Sequence, residues 1–182
     1  ADQVVRGLMD FAAPKNLELK RMNINEVIEQ SLVLAKHSFD KSHTQVVKQL
    51  GADLPLIEID SSKLKQVFIN LFMNAIDAME EGGSLTISSQ LKRLSKKNFM
   101  EEPQLEASFK VDETIVAVEV DDTGPGIPPN ILPKLFTPFV TTKSAGKGTG
   151  LGLSVTRTII RMHKGIISIK NRAEGGAMVS IL

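Results

Sequence analysis

Ile115-Val116-Ala117-Val118-Glu119-Val120-Asp121-Asp122-Thr123-Gly124-Pro125-Gly126-Ile127-Pro128 is the stretch on which the reading of the fold turns. Residues 115–121 are strongly apolar and rich in β-branched side chains, as a strand buried within a sheet would be. An acidic pair and a Gly/Pro turn then end the strand abruptly. From Asp122 to Gly152 glycine and proline recur and neither a strand nor a helix period is sustained. A span of that length inside a compact domain is usually functional.

Working outward, Leu151–His163 has helical spacing, with Leu153, Val155, Ile159 and Ile160 as core candidates. Gly165–Asn171 and Ala177–Leu182 follow as strands. On the other side, Ser84–Gln90 alternates as a strand, and the polar, charged run Lys92–Glu113 is most simply a long hairpin loop. Asp60 or Ser61 caps a long helix from Ser62 to about Met79, closed by Gly82-Gly83. Strands lie around Gln45–Leu50 and Leu56–Ile59, after a helix that Asn23 or Asn25 caps and that ends near Phe39. Residues 2–13 place Val4, Val5, Leu8, Phe11 and Ala12 at helical spacing before Pro14, and residues 15–22 form a linker. The order predicts an α/β two-layer sandwich, a mixed sheet with helices on one face.

Composition narrows the function classes. The 182 residues suit one domain, able to bury roughly 70% of its unfolded surface without a disulfide or a metal. There is no cysteine, so thiol nucleophiles and cysteine zinc sites are excluded, and a cytoplasmic setting is suited. The 22 basic and 21 acidic residues leave a net charge of +1, with no field favouring nucleic acid or a membrane surface. No apolar run approaches ~20 residues. Starting at Ala1 without a secretory segment, the chain reads as a fragment, with a membrane anchor of the intact protein conceivable upstream.

Three constellations carry chemistry. In the long helix, Asn70, Asn74 and Asp77 share one stripe beside the apolar arc of Leu64, Val67, Phe68, Leu71, Ala75 and Ala78. Amide and carboxylate oxygens there suit a hard cation such as magnesium; a plain amphipathic helix reads the same way. In the turn, the carboxylate of Asp122 can accept a hydrogen bond from an exocyclic amine. The glycines beside it permit close backbone approach to a flat base; an ordinary Asp/Gly/Pro turn is the plainer reading. Gly146-Lys147-Gly148-Thr149-Gly150-Leu151-Gly152-Leu153-Ser154 runs into a helix, where unpaired N–H groups cradle phosphates. It is neither a Walker A loop nor a dinucleotide fingerprint, and the plainer alternative is a flexible linker.

Taken together and in this order, the three resemble the asparagine box, first glycine box and second glycine box of sensor histidine kinases. Between the last two, Leu135-Phe136-Thr137-Pro138-Phe139-Val140-Thr141-Thr142-Lys143 is similar to their phenylalanine box. The resemblance covers residues 23–182, and Leu8–Pro14 looks like the exit from the family's dimerisation hairpin in its nitrogen-regulation-like branch. It implies the ATP-binding fold shared with gyrase, chaperone and mismatch-repair ATPases, a mostly antiparallel sheet, and magnesium–ATP as cofactor. By position, Asn74 would ligate magnesium, with Asn70 one turn earlier as the second catalytic residue and Asp77 near the nucleotide. Asp122 would accept from the adenine amine, with Gly124, Gly126 and Ile127 shaping the base pocket. Gly148, Gly150, Leu151 and Gly152 would offer N–H groups to phosphates and Thr149 a hydroxyl. Phe139, Thr142, Lys143 and Lys147 would belong to a nucleotide lid spanning about 137–149.

Implied partners are a histidine-bearing dimerisation domain of the same protein, a response-regulator receiver domain, and a second copy in the intact homodimer. Some positions depart from the pattern. Gly175-Gly176-Ala177-Met178 replaces glycine-threonine-x-phenylalanine, and Lys164 stands where a glycine is common. His37, His43 and His163 lack the residues that flank a phospho-acceptor; His163 reads as a structural residue at a helix end. Asn70 stands where the related hydrolases have a glutamate, and an amide is no general base. A gyrase-type hydrolase, a serine kinase of the anti-sigma type and a non-enzymatic nucleotide-binding module are the rival readings.

Overall fold

The computed structural model describes residues 16–141 and 148–182. The predicted helix over residues 2–13 therefore lies outside the described residues. Strand β1 (Lys20–Met22) leads into helix α1 (Ile24–Lys41), strands β2 (Thr44–Leu50) and β3 (Ile57–Ile59), helix α2 (Ser61–Ala78) and strand β4 (Gly83–Arg93). Short helix α3 (Lys96–Glu101) and a 3-10 turn (Pro103–Ala107) precede β5 (Thr114–Asp122). A second 3-10 turn (Leu132–Lys134), helix α4 (Gly152–Met162) and strands β6 (Ile167–Asn171) and β7 (Ala177–Ile181) complete the order.

Five strands form one sheet in the order β2-β4-β5-β7-β6, in which only β2 and β4 run parallel. This is the mixed, mostly antiparallel sheet that the sequence predicts. β5 lies at its centre, and its alternation decides the layering. Val118 and Val120 are buried with Leu85 and Ile87 of β4, Val27 and Ile28 of α1, Phe68 and Phe72 of α2, and Ile159 and Ile160 of α4. One core thus fixes the three long helices among the described residues to one face. Each such side chain contributes about 1.5–3 kcal/mol by leaving water. Phe72 touches two aromatic neighbours, its ring 5.7 Å from Phe39 and 6.1 Å from Phe68.

The caps settle which of the candidate residues starts each helix. Asn23 caps α1 by accepting from the N–H of Asn25, while the Asn25 amide reaches the Gly51 carbonyl at 2.8 Å. Asp60 caps α2: its Oδ1 accepts from the N–H groups of Ser62 and Lys63 and from the Ser62 hydroxyl. Its Oδ2 accepts from the Glu18 N–H at 3.0 Å, and its own N–H donates to His163 Nε2 at 3.0 Å. With Nδ1 2.8 Å from the Ile159 carbonyl, His163 is used up as a structural link between α4 and the start of α2. Lys164, where glycine is common, takes the left-handed φ of 62° that ends the helix.

Two segments differ from the sequence reading. The linker 15–22 holds β1, which pairs antiparallel with β3 in a two-stranded sheet. Three residues, Lys20-Arg21-Met22, are too few to show alternation. The predicted loop Lys92–Glu113 extends β4 to Arg93 and then folds as α3 and a 3-10 turn. Its apolar residues are scattered among charges with no period, so local pattern cannot find them. Tertiary packing does: Leu94 and Leu105 are buried with Ile115, beside Phe99, Phe109, Ile166 and Leu182. By alternation Ile115 lies on the other side of β5 from Val116, so this small cluster backs the sheet. Glu102 fastens it to Lys170 of β6 at 2.7 Å.

Burial raises the pKa of Asp60, but the Ser62 hydroxyl and the N–H groups of Glu18, Lys63 and Ser62 outweigh it and hold the carboxyl below its ordinary 3.8. A depressed folded pKa gives stability that is complete above the unfolded value and is lost as pH falls through the folded one. Asp60→Ala should therefore cost about 1–2 kcal/mol at neutral pH. In denaturant titrations that gap should narrow as pH falls below 3.8; a gap independent of pH would mean that the carboxylate charge plays no part.

Candidate functional site

The site residues gather along the C-terminal half of α2. Asp122 is the last residue of β5 and is 9% exposed. Its Oδ1 accepts from the N–H of Gly124 at 2.9 Å and from the N–H of Ala177 at 3.2 Å. One carboxylate oxygen thus fixes both the turn that follows β5 and the start of β7. Gly124 then passes so near α2 that a Cβ there would lie 3.1 Å from the Ala78 carbonyl oxygen. The Asp122–Gly124 turn rests on the end of the helix that carries Asn70, Asn74 and Asp77. Further along, the Asn171 side chain clasps Ile127, accepting from its N–H at 2.8 Å and donating to its carbonyl at 2.7 Å, with Gly126 alongside.

Asp121 is adjacent in sequence but points to the opposite side of the sheet by alternation. One of its carboxylate oxygens is buried with no hydrogen-bond partner among the described residues. Burial raises its pKa, Arg172 pulls it back down, and Glu119 and Asp122 add to the rise. Of the acidic pair, only Asp122 has a side chain beside α2.

The other end of the site is the start of α4. The Asn70 amide donates to the Gly152 carbonyl at 3.4 Å, tying α2 to the first residue of α4. Leu151 is 2% exposed and anchors the loop from inside. Its N–H donates to the Thr149 hydroxyl at 3.3 Å, so this hydroxyl serves the loop itself. Phe139 is 65% exposed, has a φ of 67°, and donates its N–H to the Gly150 carbonyl at 2.9 Å. Arg157 of α4 stacks over the Phe136 ring at 5.1 Å and donates to the Phe136 carbonyl. The phenylalanine segment is thereby fastened to α4.

Asn74 is half-buried and Asp77 exposed, both between these two anchors on α2. Gly148 is half-buried just before Thr149. Thr142, Lys143 and Lys147 lie outside the described residues. Residues that the motifs do not reveal are Asn171, which holds Ile127 across 44 positions, and Ala177, which holds Asp122 across 55. Separations of that kind leave no local signal. Thr123 lies within the turn motif itself: its hydroxyl accepts from the Ser84 N–H at 2.9 Å and donates toward Met79 Sδ.

A buried carboxylate at a strand end, a glycine turn against one helix and a glycine loop opening another are the features of a known class. The chain belongs to the histidine kinase-, DNA gyrase B- and HSP90-like ATPase family, whose profile matches residues 59–182. Among its relatives are sensor kinases. The sensor histidine kinase ZraS of Salmonella typhi is 32% identical over 180 residues, 99% of this chain and 34% of that protein. The sensor kinase CckA of Brucella abortus (strain 2308) is 34% identical over 184 residues, 100% of this chain and 18% of that protein. The chain thus spans about a third or less of these relatives. Among solved structures, the nucleotide-free catalytic domain of the histidine kinase ThkA has a TM-score of 0.71 at 32% identity, over 91% of this chain and 94% of that one. ThkA in complex with the response regulator protein TrrA gives 0.74 at 29% identity, over 99% and 46%. No helix among the described residues is long and apolar enough to cross a membrane.

Gly176 tests how tightly the Asp122 corner is built. Its φ is 85°, and a Cβ there would overlap the Asp122 carbonyl oxygen. Gly176→Ala should lose about 2–3 kcal/mol, lowering Tm by roughly 5–10 °C for a chain of this size. An unchanged melting temperature would show that the corner yields.

Proposed function

We propose that this chain is the ATP-binding catalytic part of a sensor histidine kinase, passing the γ-phosphoryl group of ATP to a histidine on a separate dimerisation domain. The observation that carries the reading is the pair of anchors on α2. The Asp122 turn rests against Ala78, and the start of α4 is tied to Asn70, eight residues or about 12 Å along the helix. Adenine fits the first anchor and phosphates the second, with Asn74 between. The family match and the sensor kinases among the relatives support it.

In this reading the Asp122 carboxylate, already oriented by two N–H groups, accepts from the adenine amine. Gly124, Gly126 and Ile127 form the floor under the base. The N–H groups of Gly148, Gly150, Leu151 and Gly152 face the phosphates at the positive end of α4. Thr149 contributes its hydroxyl by exchanging its bond to Leu151. Phe139, Thr142, Lys143 and Lys147 belong to the lid over the phosphates, the last three on resemblance alone. Magnesium supplies neutralisation of phosphate charge when bound with ATP. The residues fit it, because Asn74 offers a hard amide oxygen and magnesium takes most of its other ligands from phosphates and water.

An imidazole nitrogen of the acceptor histidine attacks the γ-phosphorus as the bond to the ADP oxygen breaks, so positioning and charge stabilisation are the protein's main task. Asn70 holds α4 and has no basicity to activate water, which disfavours the hydrolase reading. None of the three histidines here suits the acceptor role; His163 has both nitrogens engaged. Residues 1–14 are assigned to the end of the dimerisation hairpin and 23–182 to the catalytic domain, with the intact protein a homodimer. The response regulator bound to ThkA supports a receiver domain as the downstream partner.

Two measurements test this. Asp122→Ala should weaken ATP binding by about 1.5–3 kcal/mol, and the unaltered chain should prefer ATP to GTP; equal affinity in calorimetry would remove Asp122 from the base pocket. Second, the chain should bind ATP with little hydrolysis and no self-labelling. Supplied with a histidine-bearing dimerisation hairpin from a similar kinase, it should transfer phosphate slowly, tethering being absent. The product should be acid-labile and base-stable; an acid-stable label or brisk hydrolysis would point to the serine-kinase or gyrase-type reading.

A further inference from the structure

Pro128 sets the backbone of the residue before it. A residue that precedes proline is biased toward an extended conformation, so Ile127 turns its N–H and C=O to the same side. One partner can then meet both groups, as a hydrogen-bonded pair of residues does between antiparallel strands. A primary amide carries an acceptor and a donor side by side and is the side chain suited to this. Asn171 supplies it, Oδ1 accepting from the Ile127 N–H at 2.8 Å and Nδ2 donating to the Ile127 carbonyl at 2.7 Å. No other hydrogen bond to these two groups occurs among the described residues.

The clasp has a fixed place in the sheet. Asn171 is the last residue of β6 and stands opposite Ala177 of β7, whose N–H is held by Asp122. By alternation it falls on the same side of β6 as Ile167, which is buried in the core shared with the helices. Gly126 makes the approach possible. Its φ is 78°, and a Cβ there would lie 3.0 Å from Asn171 Oδ1 and 3.3 Å from the Gly176 carbonyl oxygen. Neighbouring rungs of the β6–β7 pair thus hold the turn at both ends, Asp122 through Ala177 and Ile127 through Asn171.

We propose that Asn171 is a positioning residue for the nucleotide base. It fixes Ile127, the floor of the pocket, relative to the Asp122 carboxylate, and through that spacing it sets the preference for a purine that carries an exocyclic amine. The inference rests on the function proposed above. The Asn171–Ile127 pair is exposed, so water can replace either bond at little cost to the fold. What water cannot restore is the fixed placement of Ile127. Aspartate at this position keeps the acceptor, loses the donor and sets an anionic oxygen against the Ile127 carbonyl.

The test is calorimetry with ATP and with its analogue lacking the 6-amino group. The unaltered chain should bind ATP at least about tenfold more tightly than the analogue, the worth of one hydrogen bond to a charged group. Asn171→Asp should weaken ATP on the order of fivefold and the analogue much less, so that the two affinities converge. Should that variant fail to fold, Asn171→Ala removes both bonds and carries the same expectation. An ATP preference kept in full by the variant would overturn the role of Asn171 alone. So would an equal loss for the two nucleotides, the mark of a purely structural residue. No preference in the unaltered chain would overturn the adenine pocket itself, and this inference with it.

Discussion

Much of the corner where β5 ends depends on one oxygen, Asp122 Oδ1, which accepts from the N–H groups of Gly124 and Ala177. A buried carboxylate has to be paired, and each hydrogen bond to it is worth about 1.5–3 kcal/mol. Here the pairing joins the central strand to the turn that leaves it and to the strand beside it. The Arg172 guanidinium adds a third tie, donating to the Asp122 carbonyl at 3.4 Å.

Around that corner the frame is stiff because α2 and α4 are linked at two places. Asp60 and His163 join the start of α2 to the end of α4, and Asn70 joins the middle of α2 to the start of α4. The helices bury Phe68, Phe72, Ile159 and Ile160 in one core. Stiffness of this kind suits chemistry that depends on placing charges rather than on moving them. The phenylalanine segment is attached to the same frame through Arg157 and Phe136.

The elements with strong local signals were legible in the sequence. The alternation over Ser84–Gln90, the apolar run at 115–121 and the capped helices all reappear, and the order of motifs was enough to expect the sheet and its helical layer. The candidate site residues could be picked out of the sequence because glycine turns and the Asn70–Asn74–Asp77 stripe are local features. How those residues are held was not legible. Asn171 on Ile127, Ala177 on Asp122 and Glu102 on Lys170 are contacts across 44, 55 and 68 positions. The folding of 94–107 is illegible for the same reason: Leu94 and Leu105 become core only once Ile115, Ile166 and Leu182 are in place.

The tie between Asp122 and Ala177 also bears on the order in which the molecule comes into being. On a ribosome, α1, α2, β2, β4 and β5 emerge with Asp122 already at the end of its strand, and α4 is still to come. Its second N–H partner emerges only after another 54 residues have been added. Until then the carboxylate lacks that partner, and β5 presents an open edge where β7 will pair. A nascent chain can therefore gather α1 and α2 early, but the completed Asp122 corner comes late. A translation pause before β7 would leave an exposed edge rather than a working half-site.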